Sequence, residues 1–314
     1  MNESKQIWAG FITYGKATSA YLPFFLESLQ NQIGVNLKIV CVDNSETADD
    51  NLEILKIHPE IEILSRGQNF GFAKGYNLMI SQAANAGAEY FLTLNVDVLL
   101  ELNTVEKLVA AILQDENISA VCPKLLRWDF LQNKKTNIID SCGIALLSGL
   151  RFVDLGQGVV DNGQYDNATI FGVSGALALY RLSALEKCKD QFGYFDERMF
   201  MYKEDCDLAY RLQLAGFKAE LVSQAIAYHD RTTSGKGTFW LQVIASRKQK
   251  SFRTKLWSAV NQQILIKKHW RALSLIQKAH VLEQELKLLG YTVVFEFKIF
   301  RALTKYWLSG DIIK

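Results

Sequence analysis

The chain has 314 residues, 49% hydrophobic and 22% charged, an ordinary globular composition with enough apolar side chains for a large core. No window approaches the roughly 18 consecutive apolar residues of a membrane-spanning helix, and the N-terminal sequence lacks the basic and apolar regions of a signal peptide. The five cysteines are scattered without metal-type spacing, which indicates free thiols and predicts a cytoplasmic protein.

Charge is distributed unevenly along the chain, although the net charge is only +2. Residues 231–282 contain eleven Lys and Arg and no Asp or Glu, whereas the rest of the chain contains 24 basic and 33 acidic residues. This asymmetry predicts an acidic body, residues 1–235, followed by a basic region, residues 236–314.

Strands and helices alternate through the N-terminal part of the sequence. Apolar runs predict strands at "IWAGFITY", "LKIVCVDNS", "IEILS" and "EYFLTLNVDV", and helical spacing predicts helices at "SAYLPFFLESLQNQ", "DNLEILKI" and "GFAKGYNLMISQAANAG". The alternation is typical of a mostly parallel sheet with helices on both faces. Such sheets bind ligands at the carboxyl ends of their strands, which is where Asp43 and Asn95–Asp97 fall.

The pattern changes after Pro123. Short strands separated by glycines come first, and "FGVSGALALYRLSALEKC" then predicts a strand followed by a helix. "KAELVSQAIAYHD" predicts a strand pair that ends at His229. From Trp240 onward the sequence is helical, basic and amphipathic.

Acidic residues follow directly on an apolar and aromatic run in "MFMYKEDCDLAYRLQLAGF". In a helix that starts near Lys203, Asp207 can pair with Arg211 four residues later, an ordinary structural role. Asp205 instead shares a face with Leu208 and Leu212, and a buried carboxylate is costly unless it is paired, hydrogen-bonded or bound to a cation. A helix cap is the structural explanation for Asp205.

Other candidates are weak when taken singly. Asn95 and Asp97 in "NVDV" offer the oxygen ligands that Mg²⁺ and Mn²⁺ prefer, and a loop cap explains them equally well. His229 can bind Mn²⁺ near oxygen ligands, although a lone histidine is usually structural. For Asp43 a turn or cap is favoured over recognition of a pyrimidine base. The sequence lacks a phosphate loop, a serine-nucleophile elbow and a dinucleotide glycine motif, which argues against those three enzyme classes.

Six sequence features occur in a fixed order: Asp43, "NFGFAKGYN", "LNVDV", "VSGALALYR", "GYFDERMFMYKEDCDLAYRLQLAGF" and "AYHD". Together they make residues 7–229 resemble the inverting GT-A glycosyltransferases of family two. Within that family it is most similar to rhamnosyltransferase-type enzymes that build bacterial cell-surface polysaccharides. The resemblance implies a Rossmann-like, mostly parallel sheet with helices on both faces. It implies a catalytic domain at 1–235, with a nucleotide-sugar half (1–122) and an acceptor half (123–235), and a helical appendage at 236–314.

The resemblance also implies a role for each matching residue. Asp43 would contact the uracil or thymine of the donor, and the rest of the nucleotide would be lined by Thr13, Asn69, Gly71, Phe72, Lys74 and Asn95. Asp97 and His229 would hold Mg²⁺ or Mn²⁺, more weakly than usual because Asn95 stands where a first acid is common. Asp205 would be the catalytic base, with Glu204, Tyr202 and Gly175 on the acceptor side.

The chemistry of an inverting transfer fits these roles. A base must take the proton of the acceptor hydroxyl, and a cation can stabilise the departing diphosphate. Partial desolvation beside "MFMY" would raise the pKa of Asp205 and make it a stronger base.

The sequence therefore predicts transfer of a sugar, L-rhamnose being one candidate, from a dTDP- or UDP-sugar to a lipid-linked or oligosaccharide acceptor. A sugar-nucleotidyltransferase and a non-catalytic sugar-nucleotide-binding protein are the alternatives. For the basic region we expect peripheral binding to an anionic membrane, at the inner face of the plasma membrane. A solvated helical cap with outward lysines ranks second. Nucleic acid ranks last and is not expected as a partner, because no recognisable nucleic-acid module accompanies the charge.

Overall fold

The computed structural model describes residues 6–47, 50–65, 67–231 and 250–309. Within these ranges the strands are β1 (Gln6–Thr13), β2 (Asn36–Asp43), β3 (Glu62–Ser65), β4 (Tyr90–Leu94), β5 (Val98–Leu100), β6 (Ile118–Asp129), β7 (Lys134–Ser141), β8 (Ile144–Leu147), β9 (Arg151–Asp154), β10 (Leu177–Arg181) and β11 (Lys218–His229). The helices are α1 (Gly15–Ser19), α2 (Leu22–Gln30), α3 (Asp50–Lys56), α4 (Gly71–Asn85), α5 (Thr104–Ile112), α6 (Leu182–Cys188), α7 (Glu204–Leu214), α8 (Phe252–His269), α9 (Leu275–Phe295) and α10 (Phe297–Ser309).

One large sheet organises these elements, with the strand order β3-β2-β1-β4-β10-β6-β11-β5 and with β7 paired to β6. The first four strands are parallel, and antiparallel pairing enters at β10, which runs against both of its neighbours. The predicted alternation of strands and helices is confirmed for the first half of the chain. The predicted strand pair before His229 is wrong, because β11 is a single strand that shifts register between Val222 and Ile226 and stays on β6.

Side chains alternate between the two faces of the sheet, as β1 illustrates. Ile7, Ala9 and Phe11 lie in an apolar core with helices α2 and α5. Trp8 lies in the opposite core with helices α4, α6 and α7. Burial of both faces confirms the prediction of helices on either side of the sheet.

The chain direction across the sheet reverses around β1, which has β2 on one side and β4 on the other, both parallel to it. At such a reversal the connections after the two neighbouring strands leave on opposite faces, and a crevice opens at the carboxyl ends. Thr13, Asp43 and Leu94 end these three strands, so the sequence segments that follow them border the crevice.

The C-terminal helices pack against the rest of the protein through a third apolar cluster. Met199, Cys206 and Tyr210 contribute from the segment around α7, and α8 contributes Leu256 and Leu265. The predicted boundary between the catalytic domain and the appendage, at residues 235 and 236, lies outside the described residues. The predicted start of the helical sequence at Trp240 lies outside them as well. No helix in the described ranges combines the length and hydropathy needed to cross a membrane.

A buried ion cluster joins α7 to α8. Lys268 Nζ lies 2.8 Å from Asp207, 3.0 Å from Asp196 and 2.7 Å from Asp190. His269 Nε2 lies 2.8 Å from the other oxygen of Asp207. Lys268 therefore points inward, which differs from the outward lysines of the solvated-cap interpretation.

The predicted pair between Asp207 and Arg211 is confirmed at 2.9 Å, but it is not the exposed helical pair that the spacing suggested. The side chain of Asp207 is 0% exposed. Burial would raise the pKa of Asp207, and the hydrogen bond from His269 together with Arg211 and Lys268 outweighs burial and holds that pKa well below its usual range.

We predict that Asp207→Asn lowers the free energy of unfolding by about 3 kcal/mol or more, because it leaves buried cations without their shared carboxylate. Urea denaturation of the variant and the parent protein measures the change. Glu283→Gln is the matched control, since Glu283 pairs with Lys287 on the surface and should have little effect. Equally small decreases in the free energy of unfolding for both variants would contradict a structural role for the ion cluster.

Candidate active site

A cleft of about 1130 Å³ lies at the carboxyl ends of the central parallel strands. Its walls include the segments after β2 and β4, the segment that leads into α7, and the start of α8. Asn69, Asn95, Asp97, Asp205 and His229 all line it. The fold therefore brings together candidates that are up to 160 positions apart in sequence.

Asp43 is almost fully buried next to this cleft and is held by one of its two oxygens. Its Oδ1 accepts hydrogen bonds from the hydroxyls of Thr13 (2.8 Å) and Ser45 (2.6 Å) and from the Ser45 N–H (3.1 Å). Its Oδ2 is buried and has no hydrogen-bond partner among the described residues. Such an oxygen carries an unmet desolvation cost that an N–H donor on a ligand would relieve. Thr13 is itself fully buried and does not line the cleft, so its side chain orients Asp43.

Two asparagines fasten the turn at the start of α4. Asn69 Oδ1 accepts the N–H of Gly71 (2.9 Å). Asn44 accepts the N–H of Phe70 (3.0 Å) and donates to the carbonyl of Gly71 (3.1 Å). Asn44 also lines the cleft, although the sequence did not single it out. Lys74 lies on the exposed side of α4, with its Nζ 4.9 Å from the ring centre of Phe70, and is not among the residues that line the cleft.

The turn is also tied to the segment before α7. The N–H of Phe72 donates to the carbonyl of Phe200 (2.8 Å). Gly71 has a φ of +69°, and a Cβ there would lie 2.4 Å from the carbonyl oxygen of Phe200. Only glycine fits this close approach, which keeps the two sides of the cleft in contact.

His229 lies between two carboxylates at the floor of the cleft. Its Nε2 is 3.3 Å from Asp97 Oδ1, and its Nδ1 is 2.8 Å from Asp140 Oδ2. Burial lowers the pKa of His229, but Asp97 and Asp140 outweigh burial and raise it to about 10. The sequence did not single out Asp140, whose only signal is its place near the end of an apolar strand.

The residues around His229 fit a divalent cation. Adjacent ligands of an octahedral cation at about 2.1 Å lie about 3 Å apart, close to the observed separation of Asp97 Oδ1 and His229 Nε2. Asp140 on the other ring nitrogen would orient the imidazole, as carboxylates behind metal-binding histidines do. No group of three or more His, Cys, Asp or Glu suited to a metal occurs in the described part of the chain. A cation here would depend on ligands from a bound substrate.

Asp205 and Glu204 both line the cleft at the start of α7. Asp205 accepts the N–H of Gly175 (3.1 Å) and of Cys206 (2.8 Å), which favours its ionised form, while burial raises its pKa. Glu204 is 5% exposed, and its Oε2 has no hydrogen-bond partner among the described residues. Burial, followed by the charge of Asp205, raises the pKa of Glu204 well above its usual value.

The backbone just before these acids is strained and is held by α8. Tyr202 and Lys203 have φ angles of 75° and 69°, in the left-handed region that non-glycine residues rarely adopt. Asn261 Nδ2 donates to the carbonyls of Met201 (2.8 Å) and Tyr202 (2.7 Å). Asn261 is buried, and the sequence gives no local signal for its role, because Met201 lies 60 positions away.

Comparison with known proteins identifies the family of the chain. The model of the family described as Glycosyl transferase family 2 matches residues 11–189, more than half of the chain. The chain belongs to glycosyl transferase family 2. This membership confirms the predicted nucleotide-sugar-dependent glycosyltransferase. Two strains of Mycobacterium tuberculosis have a curated relative, N-acetylglucosaminyl-diphospho-decaprenol L-rhamnosyltransferase, that is 26% identical over 241 residues, 71% of this chain and 75% of the relative.

Solved glycosyltransferase structures share the fold at low sequence identity. GalNAc-T7 with UDP, GalNAc and Mn²⁺ matches with a TM-score of 0.54 and 13% identity over 79% of this chain, which spans about half (48%) of the GalNAc-T7 chain. The Pyrobaculum calidifontis mannosyltransferase PcManGT, with GDP-Man and Mn²⁺, matches with a TM-score of 0.51 and 15% identity over 99% of this chain and 89% of its own. Staphylococcus aureus TarS matches with a TM-score of 0.54 and 17% identity, over 96% of this chain and 55% of the TarS chain. These matches confirm the predicted GT-A fold.

Proposed function

We propose that this family 2 glycosyltransferase is an inverting, cation-dependent enzyme. Its donor is a dTDP- or UDP-sugar, with L-rhamnose the leading candidate for the sugar, and its acceptor is a lipid-linked or oligosaccharide intermediate of cell-surface glycan synthesis. The observation that carries the proposal is that Asp205 and the pair of Asp97 and His229 line one cleft, with the buried, partnerless oxygen of Asp43 directly beside it. The name of the mycobacterial relative supports L-rhamnose and a lipid-linked acceptor.

The donor would bind across the central strands. The unmet Oδ2 of Asp43 suits the single imide N–H of uracil or thymine. The cradle formed by Asn69 and Gly71 lies beside it, where the diphosphate would extend toward Asn95 and Asp97. Asp97 and His229 would hold the divalent cation, and a bound cation would supply Lewis-acid stabilisation to the departing diphosphate.

Asp205 would be the general base. It removes the proton of the acceptor hydroxyl while that oxygen attacks the anomeric carbon, and the bond from that carbon to the diphosphate breaks on the opposite face. The sugar therefore ends with inverted configuration. Because the pKa of Asp205 is raised, transfer should slow as pH falls through that pKa and the carboxylate becomes protonated.

Glu204 is the rival for this role, and its surroundings argue against it. The pKa of Glu204 is raised well above its usual value, so its neutral form is favoured and it is a poor proton acceptor. Asp205 has two backbone N–H donors that favour its anion. Two neighbouring carboxyls with separated pKa values can take different roles, as acid–base enzymes commonly arrange.

We predict that Asp205→Asn lowers the single-turnover transfer rate by at least the ~10²–10⁴-fold typical of a general base. Donor affinity should stay near that of the parent protein, because the base meets the acceptor. Glu204→Gln is the matched control and should retain most of the rate, since burial favours the neutral form of Glu204, which a neutral amide resembles. A dead Glu204→Gln beside an active Asp205→Asn would assign the base to Glu204, and two active variants would remove both from the chemistry.

We predict that Asp97→Ala abolishes the gain in affinity that Mn²⁺ gives to UDP or dTDP, because it removes the charged oxygen ligand of the proposed cation site. His229→Ala should reduce that gain less. Asp43→Asn should weaken nucleotide binding by the same factor with and without Mn²⁺, which separates base recognition from cation binding. Calorimetry with Mn²⁺ and with excess chelator measures all three. Nucleotide affinity of the parent protein that is unchanged by chelator would refute the cation site.

We also propose that α10 rests on an anionic membrane that presents the acceptor. Phe297, Trp307 and Leu308 are exposed apolar residues on this helix, and they are interleaved with three exposed basic residues, Lys298, Arg301 and Lys305. Apolar and basic side chains on one surface helix are the combination that binds anionic interfaces.

Changing Lys298, Arg301 and Lys305 together to Gln should reduce cosedimentation with vesicles of phosphatidylcholine and phosphatidylglycerol. Added salt should have the same effect on the parent protein, because surface attraction is screened. Changing Lys56, Lys134 and Lys187 to Gln removes equal charge from exposed positions of the catalytic body and is the control. Equal binding of the parent protein to neutral and anionic vesicles would instead favour a solvated cap.

A further inference from the structure

An aromatic wall lines the cleft beside Asp205 and has no role in the mechanism above. It consists of Phe200, Tyr202 and Trp257, all partly exposed to the cleft. The ring centres of Phe200 and Trp257 are 5.1 Å apart, and those of Tyr202 and Trp257 are 6.5 Å apart. Two of these rings precede α7 and the third comes from α8, so the wall joins distant parts of the chain.

Arg253 stands one helical turn before Trp257 on α8, and both residues line the cleft. The side chain of Arg253 is exposed, and in the described ranges no acidic residue pairs with its guanidinium. Arg231, another arginine of the cleft, is by contrast 2.6 Å from Asp154. Arg253 is therefore a cation in the cleft that the described part of the protein leaves available to a ligand.

The wall is held in place before any ligand arrives. Asn261 ties the carbonyls of Met201 and Tyr202 to α8, and Lys203 Nζ donates to Gln262 Oε1 (2.7 Å). Leu256, the residue before Trp257, lies in the apolar cluster with Met199 and Cys206. A fixed wall loses little conformational entropy on binding, which is how preorganised sites gain affinity.

We propose that Phe200, Tyr202, Trp257 and Arg253 form an acceptor subsite for a saccharide that carries a phosphate or diphosphate at its reducing end. Aromatic rings offer flat apolar surface to the C–H face of a pyranose, and a guanidinium binds phosphate oxygens through two parallel hydrogen bonds. The hydroxyl to be glycosylated would then point toward Asp205. This subsite rests on the proposed function and names the acceptor class for the same cleft.

The test is direct binding by the full chain with UDP and Mn²⁺ present, which does not require the correct acceptor to be known. The probes are octyl N-acetylglucosaminyl diphosphate, N-acetylglucosamine 1-phosphate and neutral octyl N-acetylglucosaminide. The parent protein should bind the diphosphate about tenfold or more tighter than the neutral glycoside, as expected for a charge-assisted contact. Equal binding of the parent protein to charged and neutral probes would overturn the subsite. Tighter binding of the octyl diphosphate than of the free phosphate would identify the lipid-linked source, and equal binding would identify the free sugar phosphate.

Two variants locate the effect. Arg253→Gln should remove the preference for the charged probes, and Arg271→Gln should keep it, because Arg271 is exposed on the same C-terminal region but does not line the cleft. Trp257→Leu should weaken binding of all three probes, and Trp257→Phe should restore much of it. If Arg253→Gln weakens UDP binding instead, the arginine serves the donor and the subsite is refuted. Absence of UDP binding by the parent protein would be a failure of the proposed function, a result distinct from failure of the subsite.

Discussion

The rest of the structure depends on one constraint, which is that three carboxylates must be accommodated at the start of one buried helix. Glu204, Asp205 and Asp207 occupy the first turn of α7, and only Asp205 keeps appreciable exposure. Each meets the cost of burial differently. Asp207 is neutralised by cations from α7 and α8, Asp205 accepts two backbone N–H groups, and burial favours the neutral form of Glu204.

This constraint makes α8 part of the candidate active site. The family model ends at residue 189, yet Lys268 and His269 of α8 stabilise the anion of Asp207. Asn261 of the same helix holds the left-handed turn that aims Asp205 at the cleft. Residues that the sequence assigned to a C-terminal appendage therefore set the geometry of the acids, and the strain at Tyr202 and Lys203 can persist because the surrounding contacts fix it.

The sequence predicted those strands, helices and site residues whose patterns lie within a short stretch of the chain. The alternation of strands and helices predicted the parallel half of the sheet, and polar residues that end apolar strands pointed to Asp43, Asp97 and His229, which the structure places around the same cleft or directly beside it. Long-range partners left no such signal. Asp140 meets His229 across 89 positions and Asn261 meets Met201 across 60, so neither was predictable from spacing.

Contacts between residues distant in sequence also explain why individual residues differ from their predicted positions. Thr13 and Lys74 were both expected to line the nucleotide, but Thr13 is buried behind Asp43 and Lys74 lies on the exposed side of α4. The sequence predicted two strands where the structure has the single strand β11. The register shift near Ile226 interrupts the alternation of side chains, but it does not end the pairing of β11 to β6.

The proposed cation site and the proposed acceptor side are consistent with each other. Asn95 stands where the family resemblance leads us to expect a charged ligand, so Asp97 and His229 alone would hold a cation loosely until a diphosphate supplies further oxygens. The acceptor side, by contrast, is fixed by a helix, an ion cluster and the carbonyl contacts of Asn261. A site that is rigid on one side and completed by its donor on the other would favour binding of the nucleotide sugar and cation together, before Asp205 meets an acceptor hydroxyl.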